Sequence, residues 1–178
     1  DYQVEVARLL ADGEHVILRA PTGAGKTWAT LAPYLYLRDK GGPTRLIYAL
    51  PLRTLAQGIY QEACERLPKI GDQPDDEFLQ RGRVIVTTYD QVLSGLLHGP
   101  YGLSDRLHNV NAAAIVGALV VFDEFHLMEP DRAFLTAVAG LRLYRGLTQS
   151  VWMTATATAA LEGQIRSALN ARTVPNNE

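Results

Sequence analysis

His15-Val16-Ile17-Leu18-Arg19-Ala20-Pro21-Thr22-Gly23-Ala24-Gly25-Lys26-Thr27 decides the fold of this chain. Its first six residues read as a short buried strand, and apolar Trp28, Leu31, Leu35 and Leu37 then recur at helical intervals from Lys26 toward Asp39. Strand, glycine turn and helix in that order form a phosphate-binding loop. Glycines 23 and 25 let backbone N–H groups turn inward, Lys26 reaches toward phosphate oxygens, and the Thr27 hydroxyl is a ligand for Mg²⁺. The helix N-terminus adds its partial positive charge and unpaired N–H groups. Ala20 replaces the first glycine of the usual pattern, a sterically mild departure, and Pro33 is expected to kink or interrupt the helix.

Outward from this loop, apolar β-branched runs at 15–20, 44–50, 83–88, 118–123 and 149–154 alternate with helical patterns at 2–12, 26–39, 52–67, 89–98, 132–143 and 158–169. Such alternation predicts an α/β fold, a mostly parallel sheet with helices on both faces and ligands at the carboxyl ends of the strands. The 71–82 stretch reads as an acidic surface loop, and 99–117, with three glycines, is irregular.

The chain has 178 residues, 47% of them hydrophobic, which suits one globular domain. A formal charge of -2 gives no global signature of nucleic-acid binding, so such contacts must be local. Cys64 is the single cysteine, which excludes a disulfide framework and a cysteine zinc cluster and fits a reducing, cytoplasmic setting. No apolar run approaches the roughly 20 residues that span a bilayer, so no membrane partner is expected. The start at Asp1 and the polar Pro175-Asn176-Asn177-Glu178 lead us to expect a piece of something larger, with 1–170 the folded domain and 171–178 a linker or truncation.

A second chemical motif lies downstream. Ala118-Leu-Val-Val-Phe-Asp123-Glu124 is an apolar strand that delivers two carboxylates at its tip. Asp123 is the expected metal ligand and Glu124 the expected activator of the water that attacks the γ-phosphate, with Lys26 the third catalytic candidate. Trp28 and Trp152 read as core, while His98 and His108 read as loop residues.

In this order the segments resemble the first RecA-like domain of a superfamily 2 helicase of the D-E-x-H type, a P-loop NTPase. Gln3, 23 positions before Lys26, is similar to the adenine-reading glutamine of that superfamily. Leu50-Pro51-Leu52-Arg53-Thr54-Leu55-Ala56-Gln57 and Thr87-Thr88-Tyr89-Asp90-Gln91 resemble motifs that grip a nucleic-acid backbone, which implicates Arg53, Thr54, Thr87 and Thr88. Thr154-Ala155-Thr156 resembles the motif that couples the ATP site to the strand, with His126 of Asp123-Glu124-Phe125-His126 as its counterpart. The resemblance implies ATP and Mg²⁺ as ligands, with Thr22, Gly23, Ala24, Gly25, Lys26 and Thr27 on the phosphates and Thr27 and Asp123 on the metal.

Finer words, Thr87 to Leu93, Asp123 to Pro130 and Met153 to Thr156, are similar to the CRISPR-associated helicase-nuclease of type I interference, with flanking words leaning toward its subtype G (U) branch. That resemblance implies single-stranded DNA, a second RecA-like domain, an HD nuclease domain and an RNA-guided surveillance complex as partners. The chain departs from it in carrying no His-Asp dipeptide and no second motor domain, so as an isolated fragment it is expected to be nearly inactive as an ATP hydrolase. Other readings stay open: another D-E-x-H RNA or DNA helicase, a restriction translocase, a kinase, or a catalytically silent nucleotide-gated docking module.

Overall fold

The computed structural model describes residues 1–52, 59, 84–97 and 113–175. In chain order the elements are α1 (Tyr2–Ala11), β1 (Val16–Arg19), α2 (Lys26–Leu37), β2 (Arg45–Leu50), β3 (Val84–Thr88), α3 (Tyr89–Leu96), β4 (Ala118–Asp123), α4 (Leu135–Leu143), β5 (Gln149–Thr154), α5 (Ala159–Leu169) and β6 (Arg172–Val174). The six strands form one sheet in the order β3-β2-β4-β5-β1-β6, and every pairing is parallel.

The strands are continuous apolar runs because both faces are covered. Period-two alternation divides their side chains. Val16, Leu18, Leu46, Tyr48, Leu119, Val121, Val151 and Met153 pack with α1 and α2. Ile17, Ile47, Val120, Phe122 and Trp152 face the layer that holds α3, α4 and α5. Trp152 is fully buried there, stacked on Phe122 at 4.5 Å and edge-on to Phe125 and Phe134 at 5.8 Å, as expected of a core residue.

Three departures from the sequence reading have physical causes. Pro33 does not interrupt α2, which runs on to Leu37 with Leu31, Pro33 and Tyr34 buried, so packing on the sheet outweighs the missing N–H. The 132–143 helix opens as a π-helical turn at Pro130–Phe134, with proline in the first turn, before α4 proper. Residues 172–174, assigned above to the linker, form β6 and pair with β1. Three residues are too few to show a period. The 52–67 helix (apart from Leu52 and Ile59), Cys64, the 71–82 loop, His98 and His108 lie outside the described residues.

At the amino end of the sheet His15 sets a pH limit. Its Nδ1 lies 2.8 Å from Ser150 Oγ, which accepts the Trp152 indole N–H at 3.0 Å, so the serine proton satisfies a neutral imidazole. Burial, aided by the charge of Arg145, lowers the His15 pKa to about 4. Because the folded value lies below the ordinary one, this contribution to stability is complete above pH ~6.5 and is lost as pH falls toward 4. Urea melts of His15→Gln are expected to show a shallower decline than wild type across that window. Parallel declines would remove His15 as the cause.

Candidate active site

The site is built where β1, β4 and β5 end together. Gly25 caps α2 with φ 84° and Gly23 has φ 79°, left-handed conformations that a side chain adopts only with strain. A Cβ on Gly25 would also come within 2.9 Å of the Gln3 amide nitrogen. Neither a capping side chain nor an acidic residue occupies the first turn of α2, so its N–H groups are left for an external anion. From α1, Tyr2 donates its hydroxyl to the Ala24 carbonyl and Gln3 donates its amide to the Gly25 carbonyl at 3.3 Å. Gln3 thus sits against the loop. Thr22 is exposed at the lip.

Lys26 is only 7% exposed, and its Nζ donates to Glu124 Oε1 at 2.6 Å. Glu124 follows β4 in a left-handed conformation, φ 54° and ψ 43°, which turns the chain out of the strand. Its second oxygen lies 3.5 Å from His126 Nδ1. That ring nitrogen is 2.7 Å from Thr154 Oγ1, which accepts the Thr156 N–H at 2.9 Å. Lys26, Glu124, His126, Thr154 and Thr156 therefore form one continuous polar line from the loop to the end of β5. The Ala20 N–H, donating to the Thr154 carbonyl at 3.1 Å, ties the same two segments through the backbone.

Asp123 shares the strand parity of Leu119 and Val121 and so belongs to the face covered by α2, where Thr27 begins its first turn. The Tyr48 hydroxyl donates to Asp123 Oδ2 at 2.8 Å, and Tyr89 donates to the Asp123 carbonyl. Oδ1 is buried without a hydrogen-bond partner among the described residues. Burial raises the pKa of this carboxyl, while the Tyr48 hydroxyl, Lys26 and the Glu124 backbone N–H pull it back. A buried carboxylate oxygen lacking a donor is a ligand that suits a hard divalent cation. No cluster of three or more His, Cys, Asp or Glu that could hold a metal ion occurs among the described residues.

Thr87 and Thr88 end β3, Thr87 buried and Thr88 half-buried at the start of α3. Arg53 and Thr54 lie outside the described residues.

The sequence reading missed Tyr48 and Tyr89, which fix Asp123, and also the pair of Arg19 with Glu162. Arg19 ends β1 and donates two hydrogen bonds to the carboxylate of Glu162 on α5, one of them Nε to Oε1 at 2.6 Å. An arginine inside an otherwise apolar strand was the available signal.

A DEAD/DEAH box helicase family model matches residues 1–163. The chain is 28% identical over 177 residues to the ATP-dependent DNA helicase Hel308 of Thermoplasma volcanium, covering 91% of this chain and 24% of that protein. It is also 28% identical over 156 residues to the CRISPR-associated helicase Cas3 of Thermoproteus tenax, covering 75% of this chain and 27% of the relative. The chain thus spans about a quarter of the length of these relatives. Among solved structures, the helicase MrfA bound to DNA and AMPPNP superposes with a TM-score of 0.74 at 20% identity, over 99% of this chain and 27% of that one, a likeness of RecA-like fold. No helix among the described residues is long and apolar enough to cross a membrane.

Proposed function

The chain belongs to the DEAD/DEAH box helicase family, and from that premise we propose that it is the first, ATP-hydrolysing motor domain of a translocase acting on single-stranded DNA. The observation that carries the reading is the meeting of Lys26, Thr27, Asp123 and Glu124 at one end of the sheet, with a 2.6 Å ion pair already joining loop to carboxylate. Gly23, Ala24, Gly25 and the first turn of α2 hold the triphosphate, and Gln3 lies against the loop to meet the base. Lys26 binds the β and γ oxygens; Thr27 and Asp123 would hold Mg²⁺. When bound, that ion neutralises the charge developing on the transferred phosphoryl group. Glu124 orients and takes the proton from the attacking water. Nucleotide entry must draw Lys26 from Glu124, and the released carboxylate is then free to act as base. His126, Thr154 and Thr156 relay that change toward the surface that binds the strand.

A DNA substrate is supported by the DNA helicase Hel308 among the relatives. The narrower reading, a motor of CRISPR type I interference joined to a second RecA-like domain and an HD nuclease, is supported by the likeness to Cas3, equalled in identity by Hel308. Cleavage of DNA in a surveillance-complex assay by the full-length protein tests that role, and absence of such dependence assigns it to another DNA translocase. The test of the site is Lys26→Ala: ADP affinity measured by calorimetry is expected to fall about tenfold or more, about 1.4 kcal/mol per decade. Unchanged affinity would dismiss the assignment.

A further inference from the structure

Among the described residues, Tyr48 touches both candidate cation ligands. Its hydroxyl oxygen is 2.8 Å from Asp123 Oδ2 and 3.5 Å from Thr27 Oγ1. The register of the sheet makes this possible: β2 and β4 are neighbours with Tyr48 beside Val121, and both residues share the α2 face, so the phenol extends along that face toward the strand end. Tyr48 itself is 2% exposed, which leaves no solvent to complete its hydrogen bonding.

Counting protons orders the three groups. A phenol has one proton, and Asp123 Oδ2 receives it. The contact with Thr27 is then favourable only if Thr27 is the donor, along its longer 3.5 Å separation. The result is a directed chain, Thr27 O–H to Tyr48 O–H to Asp123 Oδ2. It uses the threonine proton and one carboxylate oxygen, and it leaves lone pairs of Thr27 Oγ1 together with Asp123 Oδ1, the atom that is buried without a partner.

Resting on the proposed ATP site, we propose that Tyr48 is a positioning residue which presets Thr27 and Asp123 as a pair of acceptors for the divalent cation before nucleotide arrives. It touches neither nucleotide nor reacting atoms. Without it, the Thr27 proton is free to turn toward the cation position, and the Asp123 carboxylate loses the donor that fixes its rotation. Partners of this kind, one bond removed from a metal, typically alter metal affinity by about 10–100-fold.

Calorimetry of ADP binding with Mg²⁺ and with EDTA separates this role from packing. Tyr48→Phe keeps the ring, and its ADP affinity in EDTA is expected to stay within about twofold of wild type, while the gain conferred by Mg²⁺ falls by about tenfold. In an Asp123→Asn background the same substitution is expected to have no further effect on the Mg²⁺-dependent gain, because Tyr48 acts through that carboxylate. If Tyr48→Phe fails to fold, Tyr48→His, which keeps a ring donor, is the second variant and should retain more of the Mg²⁺ dependence than removal of Asp123 does. A wild-type Mg²⁺ dependence preserved in full by folded Tyr48→Phe, or lost as fully in Tyr48→His as in Asp123→Asn, overturns the inference and leaves the ATP site standing. Wild-type protein that binds ADP no better with Mg²⁺ than with EDTA overturns both.

Discussion

Glu124→Gln is expected to bind ATP at least as tightly as the wild type while hydrolysing it about a hundredfold or more slowly. The two effects have separate causes in the same ion pair. Glu124 Oε1 holds Lys26 Nζ at 2.6 Å, so in wild type the incoming phosphates compete with a carboxylate for the lysine. A neutral amide keeps the volume and a hydrogen bond but surrenders that competition, which frees Lys26 for the β and γ oxygens. The same change removes the proton acceptor for the attacking water. The left-handed turn at Glu124, φ 54°, aims the chain out of β4 and is unaffected by exchanging one side-chain oxygen for nitrogen. The measurement is fluorescent-nucleotide titration beside steady-state phosphate release, in the full-length protein with single-stranded DNA. Normal turnover would remove Glu124 from the role of base. Slow turnover with much weaker binding would instead show that the carboxylate is needed to build the pocket.

The contrast between Glu124 and Tyr48 shows what a sequence can reveal about such a site. Lys26, Thr27, Asp123 and Glu124 are legible because each sits in a local word whose strand, turn or helix context is itself local. The parallel sheet was legible for the same reason: each strand is an apolar run, and alternation with helices restricts the topology. Tyr48 belongs to no word. A tyrosine within Arg45–Leu50 reads as core, and only the pairing of β2 with β4 brings its hydroxyl to Asp123. β6 was lost because three residues have no measurable period, and Pro33 misled because helix propensity is a local quantity whereas burial of α2 on the sheet is not. Local chemistry is written in order along the chain; contacts made through the register are not.

Arg19 and Glu162 follow the same logic, with a consequence for stability. Glu162 is wholly buried on α5, while 40% of the Arg19 side chain remains exposed at the end of β1. Both oxygens of the carboxylate are taken by the guanidinium, a fork that lysine cannot reproduce. Arg19→Met keeps the length of the side chain but leaves a charge inside the protein with no partner. One-sided removal of a buried ion pair costs about 3–5 kcal/mol, and the exposure of Arg19, which admits water in its place, argues for the lower end. Wild-type domains have only about 5–15 kcal/mol of stability, so chemical denaturation should register a shift of the midpoint without difficulty. Replacing both partners by apolar residues, Arg19→Met with Glu162→Leu, is expected to recover most of the loss, since the desolvation cost of the carboxylate disappears along with its attraction. That recovery distinguishes a stranded charge from lost packing. If the double variant is as unstable as Arg19→Met alone, the arginine stabilises through its aliphatic stem. If neither variant is destabilised, the pair contributes nothing to holding β1 against α5. Arg19 also immediately precedes Ala20, where the chain leaves β1 for the phosphate loop. A loosened β1 end should therefore weaken ADP binding in Arg19→Met and restore it in the double variant, in step with stability.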